Sequence, residues 1–404
     1  MNELLHALTL SRLPGIGVMT ALQLYRHYGS AQEVYACRGE LKGRAATAFA
    51  RWEETRARAE AELEFCERQG ISALPLQTAD YPQRLRDCPD APLVLFRRGN
   101  ANLNNIHTLA IVGTRRITEY GKSFCQEFIT DIARIIPDCL IVSGLAYGVD
   151  IHAHRACLKN SLPTVGVLAH GLDQIYPSSH RTTAEEMLKH GALVTEYMSQ
   201  TFPDKGNFVQ RNRIIAGMAD ATLVVESADK GGALITARHA LEQGRDVFTL
   251  PGNLGNPTCE GNIQLLKEGA ILISEGWDVL QEYTYLYPDL PLRQRPLGPM
   301  TLGPQETKDN LVVAETSSNP EKTDTKAVDK LENRAYIDVQ EILPRVSADE
   351  AAVLRQLEGG KQPVDRMIDE TQLPAGRVLS ALTLLEVKGF VKRLPARYYE
   401  LAKK

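Results

Sequence analysis

Several short stretches of this sequence combine glycine, a hydroxyl residue and a cation in a way suited to phosphate. Gly113-Thr114-Arg115 follows one apolar run, and Ser143-Gly144 follows another, with Tyr147 three residues on. Arg211-Asn212-Arg213 precedes a third run, after which comes Lys230-Gly231-Gly232. Glycine lets an anion approach the backbone, a hydroxyl adds a donor, and the arginine fork can grip two phosphate oxygens. Phe208, just before the arginines, has two readings: a ring on which a base stacks, or a hydrophobic staple at a helix start. These residue types point to anion binding.

Bond-breaking chemistry finds no comparable set. There is no Ser–His–Asp order and no isolated carboxylate pair. Asp150 and His154 lie four apart, so Asp150 reads either as half of an acid–base pair or as a helix N-cap. His152 and His154 point apart on a helix and make no metal site. The seven cysteines (37, 66, 88, 125, 139, 157, 259) are odd in number and never form CxxC. They fit reduced thiols in a cytoplasm, with no metal. GTRRITEYG lacks the GxGxxG dinucleotide fingerprint, and Gly121-Lys122-Ser123 would end a Walker A loop whose first glycine is here Arg116. No cofactor is expected, nor is an enzyme.

The elements that must position these residues are legible from 107 onward. LAIVG (109–113), CLIVS (139–143), TVGVLA (164–169), ALVTE (192–196), TLVVES (222–227), DVFTL (246–250) and AILIS (270–274) alternate with helix-length segments. That rhythm predicts an α/β fold: a doubly wound, mostly parallel, Rossmann-like sheet covered on both faces. Ligands bind such sheets beyond the carboxyl ends of the strands. The helix expected after 207 runs antiparallel to the strand that follows it, so its N-terminus lies at that edge. Arg211 shares a face with Ile214, Ile215 and Met218 and must reach over the sheet rim; Arg213 lies about 200° around the helix. The pair either frames an anion site at a helix start or snorkels there.

The rest of the chain divides by composition. Residues 1–66 read as a helical module, and LSRLPGIGVMTALQLYRHYG within it has the Pro-Gly-x-Gly turn of helix-hairpin-helix modules. Such a turn offers backbone N–H groups to phosphate, or is a plain helical bend. Residues 67–106, punctuated by Pro75, Pro82, Pro89 and Pro92, read as an irregular connector. The sheet domain spans 107–286, and 287–340 reads as a flexible linker rich in Pro, Ser, Thr and charge. Residues 341–404 read as three helices and a hairpin, a winged helix.

Charge bounds the mode of binding. The chain of 404 residues carries a net charge of −4, and residues 107–280 hold 15 Lys and Arg against 19 Asp and Glu. Any polyanion must therefore be held by local placement, and binding should be salt-sensitive. No apolar run reaches the roughly 18 residues of a membrane span, and the start MNELLHALTLSRLPGIG shows no signal peptide.

Taken together, AIVGTRR, VSGLAYGVDIHAH, GLDQIYPSSH, FVQRNRIIAGMADATLVVES, GGALITARHALEQGRDVFTLPGN and EGNIQLLKEGA resemble the DNA-processing protein A (DprA/Smf) family. The flanks agree, since members often carry a sterile-alpha-motif-like N-terminal module and a C-terminal winged helix. The resemblance implies a cytoplasmic homodimer that binds single-stranded DNA without sequence preference and loads the RecA recombinase onto it, in natural transformation. It places the family's Gly-Ser-Arg phosphate site on Gly113, Thr114 and Arg115, its Ser-Gly pair on Ser143 and Gly144, and its Arg-Asn-Arg on Arg211, Asn212 and Arg213. Tyr147 stands where many members have arginine, His180 where asparagine is common, and Gly231 and Ala233 replace serines of a Ser-Gly-Ser turn. A different class is a nucleotide-processing phosphoribohydrolase on a related sheet. Its Pro-Gly-Gly-x-Gly-Thr loop is only partly matched by Pro251-Gly252-Asn253-Leu254-Gly255-Asn256, with Glu260 nearby. A third reading makes Arg377, Lys388, Lys392, Arg393 and Arg397 of the winged helix a duplex-DNA reader, against its use as a protein-docking module.

Overall fold

The computed structural model describes residues 2–253 and 255–283, and in the C-terminal part 339, 343, 346–358, 360–371, 373, 375–394 and 398–402. The expected linker, 287–340, lies outside the described residues apart from residue 339. The chain forms two compact units, residues 1–293 and 294–404.

The first unit opens with helices α1 (Asn2–Arg12), α2 (Val18–Tyr28), α3 (Ala31–Ala36), α4 (Gly43–Phe49) and α5 (Trp52–Gln69). Leu8, Leu10, Leu22 and Trp52 of these helices belong to the same core as Val94, Val142 and Ile214 of the sheet region. The helical module is thus continuous with the sheet. Residues 67–106 depart from the irregular connector expected: they contain strand β1 (Ser72–Pro75), helix α6 (Gln83–Arg86) and strand β2 (Val94–Gly99), which extend the sheet. The prolines fall at or between these short elements, and Pro75 ends an edge strand, where a missing N–H is tolerated.

Seven parallel strands follow: β3 (Thr108–Val112), β4 (Leu140–Ser143), β5 (Thr164–Val167), β6 (Ala192–Thr195), β7 (Ala221–Val224), β8 (Asp246–Thr249) and β9 (Ile271–Leu272). The sheet order is β1-β2-β6-β5-β4-β3-β7-β8-β9, with β1 and β2 antiparallel at one edge. Side chains alternate along β3: Leu109 and Ile111 enter one core, Ala110 and Val112 the other. Helices α7 (Glu119–Ile135) and α8 (Val149–Lys159) cover the first face. Helices α10 (Lys205–Met218) and α11 (Gly232–Glu242) cover the second, α9 (Arg181–Met187) and α12 (Glu260–Lys267) complete the crossovers, and α13 (Gly276–Tyr283) follows the last strand. Strand order reverses between β3 and β7, so the crevice that such a switch creates lies beyond Val112 and Val224.

Two local expectations shift. Helix α10 starts at Lys205, because the Asp204 side chain accepts from Gly206 N (2.7 Å) and caps it there. Arg211 and Arg213 therefore sit in its second and third turns rather than at its head. Gly148, not Asp150, caps α8: its φ is +79°, and a Cβ there would meet Thr114 O at 2.0 Å, which only glycine avoids.

The second unit contains α14 (Ala348–Leu357), β10 (Gln362–Pro363), α15 (Val364–Thr371), α16 (Ala375–Val387), β11 (Val391–Leu394) and β12 (Tyr398–Leu401). A capping box joins Ser347 and Glu350 at the start of α14. The strands pair in the order β10-β12-β11 over a core of Val353, Leu354, Met367, Val378, Leu382 and Val391. This is the winged helix expected.

Candidate nucleic-acid interface

At the switch point lies a groove of about 650 Å³. Its walls come from the β3–α7 loop, the β4–α8 loop, the first turns of α10 and the start of α11. The β3–α7 wall is rigid for identifiable reasons. Thr114 N donates to Glu226 O (2.7 Å), and Val149 N donates to Thr114 O (3.1 Å). The buried Glu226 carboxylate accepts from Thr118 N (2.9 Å) and from the Thr118 hydroxyl. A Cβ on Gly113 would meet Val149 Cγ2 at 2.3 Å, so glycine is required where the loop crosses α8. Arg115 leaves this anchored turn exposed, and its guanidinium lies 5.0 Å from the centre of the Phe208 ring.

The opposite wall is α10. Arg211 is only 3% exposed, yet both of its hydrogen bonds go to backbone carbonyls: Nη1 donates to Gly144 O (2.7 Å) and to Val167 O (2.5 Å). Its Nε has no partner among the described residues. Burial lowers the affinity of this guanidinium for its proton; Asp150 opposes that shift and Arg115 adds to it. Burial likewise pushes the Asp150 carboxyl up, against the pull of Arg211 and of backbone donors from Ala146 and Gly144. Asn212 Nδ2 donates to Gly232 O (3.3 Å), tying α10 to the glycine start of α11.

The groove brings together Gly113, Thr114, Arg115, Phe208, Arg211, Asn212, Lys230, Gly231 and Gly232. Four expected residues lie elsewhere. Arg213 is buried and turned to the far side of α10, where Nη2 donates to both oxygens of Glu196 (2.7 Å each) and Nη1 to Asp90 O (2.6 Å). Its charge is consumed internally. Ser143 is fully buried and its hydroxyl donates to Ile111 O (2.6 Å), so the side chain does not reach the groove. Gly144 contributes from beneath: a Cβ there would fall 2.1 Å from Arg211 Nη1, so glycine makes room for the guanidinium. Tyr147 is exposed but outside the lining.

Three contributors escaped the sequence reading. Lys205 lines the groove from the first turn of α10, and the Asp204 cap was the signal that would have placed it there. Tyr176 lines the rim, its ring 5.9 Å from Phe208. Glu226 braces the Arg115 loop, and no local pattern marks it.

Other sequence expectations meet plain geometry. His154 is buried with Nδ1 on the Thr164 hydroxyl (2.7 Å) and shows no pairing with Asp150. No cluster of potential metal ligands occurs among the described residues, and no described helix is long and apolar enough to cross a membrane. Pro251, Gly252 and Glu260 do not line the groove. In the winged helix, Arg377 pairs with Asp349 (2.7 Å) and Lys388 with Glu350 (2.6 Å). The side chains of Arg393 and Arg397 lie outside the described residues.

A sequence model described as DNA recombination-mediator protein A matches residues 72–284, the whole of the sheet and groove. The chain belongs to this recombination-mediator family. Residues 340–397 match the DprA winged helix domain. Among relatives in the family, "DNA processing protein DprA" of Bacillus subtilis is 41% identical over 215 residues, covering 53% of this chain and 72% of the relative. "Protein Smf" of Synechocystis is 32% identical over 327 residues, 80% of this chain and 78% of that one. The X-ray structure of DNA processing protein A from Streptococcus pneumoniae is similar with a TM-score of 0.61 at 28% identity, covering 70% of this chain and 97% of that chain.

Proposed function

We propose that this chain binds single-stranded DNA, without regard to sequence, in the groove at the sheet's switch point, and passes it to RecA during recombination. The observation that carries the reading is Arg211, a buried guanidinium that lines the groove and whose hydrogen bonds go to carbonyls. A carbonyl fills a donor without cancelling its charge, so Arg211 adds a positive field to the groove that favours a phosphate, even with Asp150 nearby. Arg115, Lys205 and Lys230 add mobile cations, and Phe208 and Tyr176 add rings. Cations on a backbone track with rings on the base path form a surface for single strands that tolerates any base. The family's description as recombination mediators supports the transfer to RecA and a role in DNA processing for recombination. A homodimer in the cytoplasm, acting by binding rather than catalysis, completes the proposal. The phosphoribohydrolase alternative gains nothing from the structure, because its glutamate candidate lies away from the groove.

The test is a titration of oligo-dT at two salt concentrations, with wild type, Arg115→Ala and Arg211→Gln. Both variants should bind at least about tenfold more weakly, with a lower salt slope. Wild-type binding by both would sink the site. Nucleation of RecA on strands coated with single-strand binding protein should accelerate with wild type and not with Arg115→Ala; no acceleration by wild type would remove the RecA step.

A further inference from the structure

Tyr147 is the unexplained group beside the groove. It stands at the tip of the β4–α8 loop, 49% exposed, while its neighbours are packed away: Leu145 is fully buried and Val149 likewise. The loop holds left-handed backbone on both sides, with Leu145 at φ +54° and Gly148 at φ +79°, and only the leucine is strained by it. A non-glycine residue in the left-handed region is held there only by strong surrounding structure.

The ring is also held. It meets His180 edge-on, centroids 4.9 Å apart at 71°, and its hydroxyl shares a hydrogen bond with Ser179 Oγ (3.4 Å). His180 is itself buried, with Nδ1 on Leu145 O (2.8 Å), so the histidine ties back to the turn that presents the tyrosine. The two positions noted in the sequence as departures from the family pattern, Tyr147 and His180, are thus ring partners. An exposed aromatic that is clamped at its edge, with a solvent-facing surface, is pre-organised for a flat partner. Ala146, one residue before it, lines the groove, and so does Tyr176, three residues before Ser179. Tyr147 therefore borders the same rim.

We propose that Tyr147 is a second base-stacking station, which takes a nucleobase of the single strand where it leaves the phosphate groove. The inference rests on the single-strand reading of the groove. It assigns the strand a direction of exit, across the ends of β4 and β5. It also assigns this stretch a non-ionic grip, since a stacked ring neutralises no phosphate. A contribution of that kind persists at high salt, whereas that of Arg115 does not.

The test compares wild type, Tyr147→Ala, Tyr147→Phe and Arg115→Ala on oligo-dT of about 4 and about 20 nucleotides, at two salt concentrations. Melting curves first establish that the exposed substitutions leave the fold intact. For the longer strand, Tyr147→Ala should bind at least about fivefold more weakly with an unchanged salt slope, and Tyr147→Phe should bind as wild type. The short strand, which fills only the groove, should not distinguish them. A long strand with abasic sites throughout should bind Tyr147→Ala and wild type alike. Equal binding of wild type and Tyr147→Ala to the long strand would overturn the station while Arg115→Ala still reports the groove. A changed salt slope in Tyr147→Ala would overturn it too, by showing that the ring acts through a cation. Failure of wild type to bind any oligo-dT would instead bring down the groove reading, and this inference with it.

Discussion

The two sides of helix α10 hold the same residue in opposite circumstances. Arg211 and Arg213 are two positions apart and each is 3% exposed. On the inner side, Arg213 meets both oxygens of Glu196 and the carbonyl of Asp90. Arg12 donates to the carbonyl of Glu196, and Arg58 to Glu62 (2.9 Å) and to Ser199 O (2.7 Å), so α1 and α5 join the same network. On the groove side, Arg211 donates its hydrogen bonds to carbonyls, with Asp150 near but not hydrogen-bonded to it, and Arg115 has no carboxylate partner among the described residues. Burial thus fails to separate a structural arginine from the one proposed to bind. What separates them is the acceptor: a carboxylate satisfies donor and charge together, a carbonyl satisfies the donor and leaves the charge to attract an anion.

The largest expected effect tests the inner side. Arg213→Ala leaves Glu196 buried and unpaired, and should cost about 3–5 kcal/mol in denaturant unfolding. Folded at low temperature, the same variant should bind oligo-dT within about threefold of wild type. A loss above tenfold would erase the contrast between the two arginines. Next comes Arg115→Ala, which should weaken binding about tenfold and lower the salt slope by about 0.7, the share of one phosphate on a single strand. Its unfolding free energy should stay within about 0.5 kcal/mol of wild type, as for other surface positions. A destabilised Arg115→Ala would place that residue with Arg213.

This division is where the sequence stops being legible. The parallel strands announce themselves, because a strand covered on both faces is a short continuous apolar run ending in small residues. The glycine turns announce the ligand edge for the same reason. The helical wheel even sends Arg211 and Arg213 to different sides. It cannot say what waits there, since Glu196 and Asp90 come from separate loops, 17 and 123 residues away. Strands β1 and β2 hid behind Pro75, Pro82, Pro89 and Pro92, which mark the joints of short edge elements as readily as a loop. Lys205 was missed because the helix was started three residues late.

The floor beneath the groove has a pH signature that the ion-paired side lacks. His154, buried on α8 with His180 and Arg211 acting against its charge, is held down to about 3 from the usual 6.5. It stays neutral in the fold at pH 5, while the unfolded chain protonates below 6.5. Stability is therefore present above 6.5 and lost as pH falls. Between pH 7 and pH 5 this one group removes about 2 kcal/mol. His170, also depressed by burial, acts in the same direction; Asp150, pushed up, acts against both. The difference between wild type and His154→Gln isolates the term: the variant's loss of stability on acidification should be smaller by about 2 kcal/mol in urea unfolding. Equal losses would mean that His154 is solvated.

The smallest effect extends the same test of acceptors to the winged helix. Residues 347–404 hold 10 basic and 8 acidic residues, a net +2. At the two ends of α16 the cations are spoken for, Arg377 by Asp349 and Lys388 by Glu350, both from α14. By the criterion that distinguishes Arg211 from Arg213, these are structural charges. The exposed Arg377–Asp349 pair contributes little to stability, about 0–1 kcal/mol, whereas Glu350 is buried beneath Lys388; both pairs lower the field that a phosphate backbone would meet. Removal of residues 340–404 should therefore change oligo-dT affinity by less than about twofold, and duplex affinity no more than that. A tenfold fall confined to duplex would show that paired guanidinium groups can be recruited to DNA, and the acceptor rule drawn from α10 would then hold only where both partners are buried.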